Sequence, residues 1–265
     1  MATDRSSAGD PASTLALLWG EPVATPGRRG PRQAHSPAQV ATVAIELADA
    51  EGVEAVTIRR VAQALGLSPM ALYTYVPGKA ELLDLMLDTV YARMPRTEPA
   101  DDGWRARAAA VADDNRALYR AHPWVAAVST SRPPLGPGLM AKYEYELRAL
   151  DGTGLGDVEL DAALTYLLGF VQTCARMAAD ERAARQDSAM SDEAWWAANA
   201  ELLARVFDPE RYPTAARVGA AAGEAHGGAY SPAHAYEFGL RRALDGLAAL
   251  IEGRQYSAID RDLHA

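Results

Sequence analysis

Residues 57–76 read Thr57-Ile-Arg-Arg-Val-Ala-Gln-Ala-Leu-Gly-Leu-Ser-Pro-Met-Ala-Leu-Tyr-Thr-Tyr-Val76, and this stretch decides the fold. Thr57 is a helix N-cap, and Ile58, Val61, Ala62 and Leu65 follow at helical spacing to make one buried face. Gly66 ends that helix. Ser68-Pro69 starts another, because serine accepts a bond from a free amide at the cap and proline fits the first helical position. Two short helices joined by Gly66-Leu67-Ser68 can cross steeply, since glycine takes the left-handed conformation that a three-residue turn demands. Ala62 falls where they approach most closely, and Val61, Leu65, Leu67, Leu72 and Val76 supply a small shared core.

The second of these helices leaves Ser68, Pro69, Met70, Ala71, Tyr73, Thr74 and Tyr75 on its outer face. That face is uncharged, compact and partly aromatic, which suits a DNA major groove about 12 Å wide. Met70 and Ala71 match a thymine methyl, and the hydroxyls of Tyr73, Thr74 and Tyr75 match phosphates or base edges. Arg59 projects from the start of the preceding helix, toward guanine or the backbone. Lys79 stands at the N-terminus of the following helix, where the dipole and free amides add to its charge. Two short helices around a glycine also occur in proteins that never touch DNA, so the neighbouring segments matter.

Upstream, Ser36-Pro37 opens a helix over 37–50 with Val40, Val43, Ala44, Leu47 and Ala48 as its apolar stripe, and Gly52 closes it. Downstream, Pro77-Gly78 breaks the chain and a fourth helix starts near Lys79, with Leu82, Leu83, Met86, Leu87 and Val90 inward, stopping before Pro95. Beyond Pro99 the pattern predicts helices at 103–121, after Pro123, and at 137–150, 157–185, 191–207 and 232–253. The Gly/Ala/Pro-rich stretch from Pro209 to Ser231 reads as a loop. The expected class is all-α: an N-terminal three-helix helix-turn-helix unit, continued by the fourth helix (36–94), and a larger helical ligand-binding and dimerisation domain (99–255). An Arg/Gly/Pro-containing flexible arm (1–35) precedes them and a tail (256–265) follows.

In this order of elements, residues 45–86, "IELADAEGVEAVTIRRVAQALGLSPMALYTYVPGKAELLDLM", resemble the N-terminal domain of the TetR family of bacterial repressors. Leu72-Tyr73-x-Tyr75-Val76 and Gly78-Lys79-x-x-Leu82-Leu83 are the distinctive part. The C-terminal region, with Trp195-Trp196 and Phe238-Gly-Leu-Arg-Arg-Ala-Leu-Asp-Gly-Leu247, is similar to the ligand-binding domain of the tetracycline-repressor subgroup. The resemblance implies that residues 68–75 face the major groove and that Thr57, Tyr73 and Lys79 hold phosphates. It also implies a homodimer on a palindromic double-stranded operator, released by a small hydrophobic effector. The third helix departs from strong readers in having no Gln or Asn to hold adenine bidentately.

Charge distribution agrees with a DNA-binding head on an acidic body. The net charge is -9, but residues 1–96 carry 9 basic and 10 acidic side chains while residues 97–265 carry 17 and 25. Arg28, Arg29 and Arg32 form a basic cluster with no acid between Val23 and Val43. Such a run either lies in a narrow minor groove or serves as a solvated linker. Ahead of it, Leu15-Ala-Leu-Leu-Trp19 is either a helical turn docking on the body or a transient apolar spot.

In the larger domain the expected effector contacts are Trp124, Tyr166, Phe170, Cys174, Met177, Trp195 and Trp196, each also compatible with ordinary core. The 157–185 helix and the small-residue stripe of the last helix (Gly239, Ala243 and Gly246 among Leu240, Leu244, Leu247 and Ile251) are the expected dimer interface. His122-Pro123 reads as a cap to a helix C-terminus. Enzymatic readings find no footing: Gly78-Lys79 lacks the upstream glycine of a phosphate loop, and the histidines are scattered. No cofactor is expected. The single cysteine, the absence of a signal-peptide pattern and apolar runs far short of the ~20 residues of a membrane span point to the cytoplasm, away from membranes. Remaining alternatives are a helical interaction module and an activator without small-molecule induction.

Overall fold

The computed structural model describes residues 5–20, 35–99, 103–228 and 230–262. Among the described residues the chain is helical, without a β-strand, and no helix is long and apolar enough to cross a membrane.

Helix α2 (Pro37–Glu51) opens with a reciprocal capping box: Ser36 Oγ accepts from Gln39 N, and Gln39 Oε1 accepts from Ser36 N. Its stripe of Val40, Ala41, Ala44, Ile45 and Ala48 is buried. Helices α3 (Ile58–Ala64) and α4 (Pro69–Leu72) follow, joined through Gly66 at φ 68°. Helix α5 (Lys79–Arg93) then runs behind them, with Leu82, Leu83, Met86, Leu87 and Val90 in one core with α2, α3 and α4.

Two further core elements come from outside this unit. Trp124, Val125 and Val128 of and just after α7 (Pro123–Ala127) join the same cluster. So does Leu18 of α1 (Pro11–Trp19), which packs along α5. Residues 5–20 are therefore a docked segment, not a loose arm. Asp10 caps α1, Ser6 Oγ donates to Arg132 O at 2.6 Å, Ser7 N donates to Asp84 Oδ1 at 2.8 Å and Trp19 Nε1 donates to Leu135 O at 2.9 Å. The apolar patch 15–19 finds its reason here: Leu18 needs a surface to cover, and α5 offers one. Arg28, Arg29 and Arg32 lie outside the described residues.

The larger unit is built from α6 (Trp104–Ala121), α8 (Pro137–Arg148), α9 (Asp157–Ser188) and α12 (Pro232–Asp262) around a second core that includes Val111, Leu164, Leu167, Val171, Leu244 and Leu247. A buried polar contact sits between α6 and α8: Glu146 Oε1 accepts from Lys142 Nζ at 2.5 Å and from Asn115 Nδ2 at 2.6 Å. Helix α5 packs most extensively on α8, so the two units share a broad seam. Asp88 on α5 accepts from Gly138 N and Leu139 N at the start of α8, capping that helix from across the seam.

Three expectations are corrected. The stretch 209–231 contains α11 (Pro213–His226), because Pro213 at the first helical turn and Gly227 in the left-handed conformation at the end bracket an alanine-rich run. Helix α12 extends through Asp262, past the expected stop near 253. Ala243, Leu244, Leu247 and Ile251, expected at a dimer interface, are buried within the chain. Their 3–4 spacing marks a buried face without saying what covers it, and α6 and α9 do. No described residue of α10 (Asp192–Val206) or α11 is buried, and Leu202, Leu203, Val206 and Val218 are exposed there.

Candidate nucleic-acid interface and effector cleft

The candidate reading face is built from caps outward. Thr57 Oγ1 accepts from Arg60 N at 3.2 Å and Ser68 Oγ accepts from Ala71 N at 3.2 Å, so both short helices are pinned at their starts. Val61, Ala62, Leu72 and Val76 are fully buried beneath them. Met70 is 75% exposed and Tyr73 47% exposed on the outside, beside exposed Ser68, Pro69 and Thr74 and half-buried Ala71. The face carries no charge of its own.

Two hydroxyls on it are less available than their exposure implies. Thr74 Oγ1 donates to Ala71 O at 2.7 Å, which commits its proton to the helix. Tyr75 is half-buried against the core, its ring edge-on to His35 at 6.3 Å. Tyr73 is left as the prominent aromatic of the face. Arg59 on α3 is exposed, while Arg60, the next residue, pairs with Glu51 at 2.5 Å. That hydrogen bond, with charge attraction added, holds the Glu51 carboxyl below its usual range. Lys79 is the first residue of α5, whose N-cap is Gly78 with no side-chain cap, so its charge stands at the positive end of the helix dipole.

On the far side of α2, Asp49 reaches the larger unit. Its carboxylate accepts from His122 Nδ1 and from Trp124 Nε1, each at 2.8 Å. Trp124, expected in the effector site, is 4% exposed and belongs to this seam, because a buried indole N–H needs an acceptor and Asp49 is the one in reach. His122 does follow α6 as its C-cap, but its ring serves Asp49. Sequence reasoning missed Asp49; nothing in its local pattern signals a partner so distant along the chain.

A cleft of about 630 Å³ opens between α6, α9, the start of α10 and the α11–α12 turn. Cys174 lines it directly. Behind the wall Phe170 stacks on Tyr236, with centroids 5.9 Å apart and planes at 21°, and Met177 Sδ accepts from Tyr230 Oη at 3.5 Å. Tyr166 is 58% exposed and Trp195 47% exposed, and neither they nor Trp196 line the cleft; Trp196 lies along α11 at Gly223. Tyr166 and Phe170, one turn apart, share a side of α9, but only Phe170 reaches α12, where it stacks on Tyr236. Residues missed from sequence include Arg116, Tyr119, Arg120, Arg182, Tyr230 and Tyr236. Arg116 and Arg120 stand one turn apart on α6, a spacing that places both on one side. Burial pushes the Cys174 thiol up, against a smaller pull from Arg116, so the wall carries a neutral thiol at neutral pH.

A family model described as "Bacterial regulatory proteins, tetR family" matches residues 41–86, and one described as "Tetracyclin repressor-like, C-terminal domain" matches residues 95–251. The chain is 40% identical over 259 residues to the HTH-type transcriptional repressor DrrR1 of Streptomyces coeruleorubidus, an alignment covering 96% of this chain and 91% of that relative. It is 31% identical over 137 residues to an HTH-type transcriptional regulator of Saccharopolyspora erythraea, covering 50% of this chain and 58% of the other. Among solved structures, the Streptomyces coelicolor TetR family protein ActR in complex with (S)-DNPA aligns with a TM-score of 0.66 at 25% identity, covering 82% of this chain and 99% of that one. ActR in complex with actinorhodin shares the fold at a TM-score of 0.68 and 24% identity, covering 82% and 97%. The reading face on α3 and α4, the helical body behind it and the two matched ranges place this chain in the TetR family of bacterial transcriptional regulators.

Proposed function

We propose that the protein is a ligand-responsive repressor that binds a palindromic operator as a homodimer and leaves it when a small molecule fills the cleft. Helix α6 is the observation that carries this reading. Arg116 and Arg120 face the cleft from its last turns, and His122 at its end bonds Asp49 of the DNA-reading unit. A ligand that draws α6 toward α9 moves His122 and Trp124 against Asp49, and thereby tilts α2 and the reading helix it supports. Two reading helices must stay about 34–36 Å apart to meet successive major grooves, so a small tilt in each protomer lowers affinity. The ligand acts only in proportion to its preference for the tilted state.

Dimerisation fits the surfaces left exposed: the α9 flank with Tyr166, and the apolar residues of α10 and α11. The uncharged reading face discriminates sequence, and affinity comes from flanking cations, Arg59 and Lys79 among them, with Arg28, Arg29 and Arg32 as further phosphate or minor-groove contacts. The test is a gel shift with DNA from upstream of the protein's own coding region at physiological salt. A sequence-preferring complex is expected; its absence overturns the reading.

A further inference from the structure

We propose that the cleft between α6, α9 and the α11–α12 turn selects a planar aromatic anion, an aromatic carboxylate or acidic phenol whose apolar body carries one negatively charged edge. The proposal deepens the reading of this cleft as the effector site and rests on it. Four guanidinium groups line the cleft, those of Arg116, Arg120, Arg182 and Arg185, against the carboxylates of Glu181 and Glu193. Arg185 is paired with Glu181 one turn away on α9. Arg116, Arg120 and Arg182 have no carboxylate partner among the described residues, so the cleft presents net positive charge to whatever enters.

Arg116 is the best-placed of the three. Its guanidinium lies over the Tyr236 ring at 3.9 Å from the centroid, and Tyr236 is itself stacked on Phe170. Tyr236 is buried and its hydroxyl donates to Asp113 at 2.8 Å, which fixes the ring and with it the cation above. A guanidinium held this way loses little freedom when a carboxylate or phenolate binds its N–H groups. Ala175 and Ala178 leave room on the α9 wall, and Tyr119 and Tyr230 add aromatic surface, so a flat ring system finds contact on several sides. The neutral Cys174 thiol does not compete as an anion.

The experiment uses the full-length protein and two matched probes, anthraquinone-2-carboxylate and its neutral carboxamide. Binding is read by calorimetry, and occupancy of the cleft by protection of Cys174, the only cysteine of the chain, from N-ethylmaleimide. The carboxylate is expected to bind about tenfold or more tightly than the amide and to slow alkylation. Arg116→Gln should bring the two probes to within about twofold of each other, with exposed Arg182→Gln as the second variant if the first lowers stability. Equal binding of both probes by the unaltered protein, binding without protection of Cys174, or no binding of either overturns the proposal. Operator release is scored separately: charge-selective binding in the cleft without release leaves the anion site standing and overturns its role as effector site.

Discussion

Trp124 Nε1 donates a hydrogen bond of 2.8 Å to Asp49 Oδ1, joining residues 75 positions apart and tying α2 of the DNA-reading unit to α7. The same carboxylate accepts from His122, so one side chain on α2 holds both the end of α6 and the start of α7. A hydrogen bond to a charged acceptor contributes about 1.5–3 kcal/mol. Trp124→Phe should cost about 2 kcal/mol in urea denaturation. A double-mutant cycle with Asp49→Ala should show a coupling of about 1 kcal/mol or more. Simple additivity of the two single variants would mean that this contact does not hold the seam.

Gly138 marks the closest approach of α8 to α5. A Cβ there would lie 2.0 Å from Asp88 O and 3.0 Å from Ala92 N, both backbone atoms that cannot rotate away. Gly138→Ala should therefore push α8 off α5 and cost about 1–3 kcal/mol, more than the gain of under 1 kcal/mol in helix propensity. Thermal unfolding of the variant against wild type reads the difference, and an unchanged or raised Tm would contradict this packing.

Leu18 is the hydrophobic residue that α1 buries in the core with α5. Leu18→Ala should lower stability by about 2–3 kcal/mol, or release the helix for whatever smaller cost docking represents. Hydrogen exchange distinguishes the two, since release strips protection from residues 11–19 alone.

Tyr73 stands exposed on the candidate reading face, without a hydrogen bond to the protein among the described residues. Tyr73→Ala should weaken operator binding by about 1–3 kcal/mol while leaving the melting temperature within the range of surface changes, about 0.5 kcal/mol. Thr74→Val should matter less, because that hydroxyl proton is already given to Ala71 O. A gel-shift series that reversed this order would relocate the reading face.

Asp84 is fully buried on α5, and burial pushes its carboxyl above the usual range; the Ser7 N–H opposes this and the charge of Glu81 adds to it. One of its oxygens, Oδ2, has no partner. The folded chain thus holds this proton more tightly than the unfolded one. Its contribution to stability is complete below the ordinary carboxylate range and fades as pH rises through the raised folded value. Measured from pH 7 downward, Tm of wild type minus Tm of Asp84→Asn should shift in favour of wild type. A pH-independent difference would show that Asp84 does not titrate in this window.

The helix-turn-helix unit is readable from the chain alone, because its signals are local. Ser36-Pro37, Thr57, Gly66 and Ser68-Pro69 act within one turn of themselves, so caps, turn and outward face were legible without knowing the rest of the chain. Most helices of the body were legible for the same reason, though α11 hid behind glycine and proline at its flanks. Which surface each apolar face meets is set by packing between distant segments. Leu244 and Leu247 look alike whether a second copy or α9 covers them, and here the chain itself does. Trp124 and Phe170 are both aromatic and inward, yet one turns to Asp49 at the seam and the other stacks behind the cleft. The arginines of that cleft come from helices far apart in sequence, and their charges add up in one place only once α6 and α9 are packed. Periodicity encodes that a face is buried; the partner is chosen by shape and by polar groups such as the Trp124 N–H that must find an acceptor.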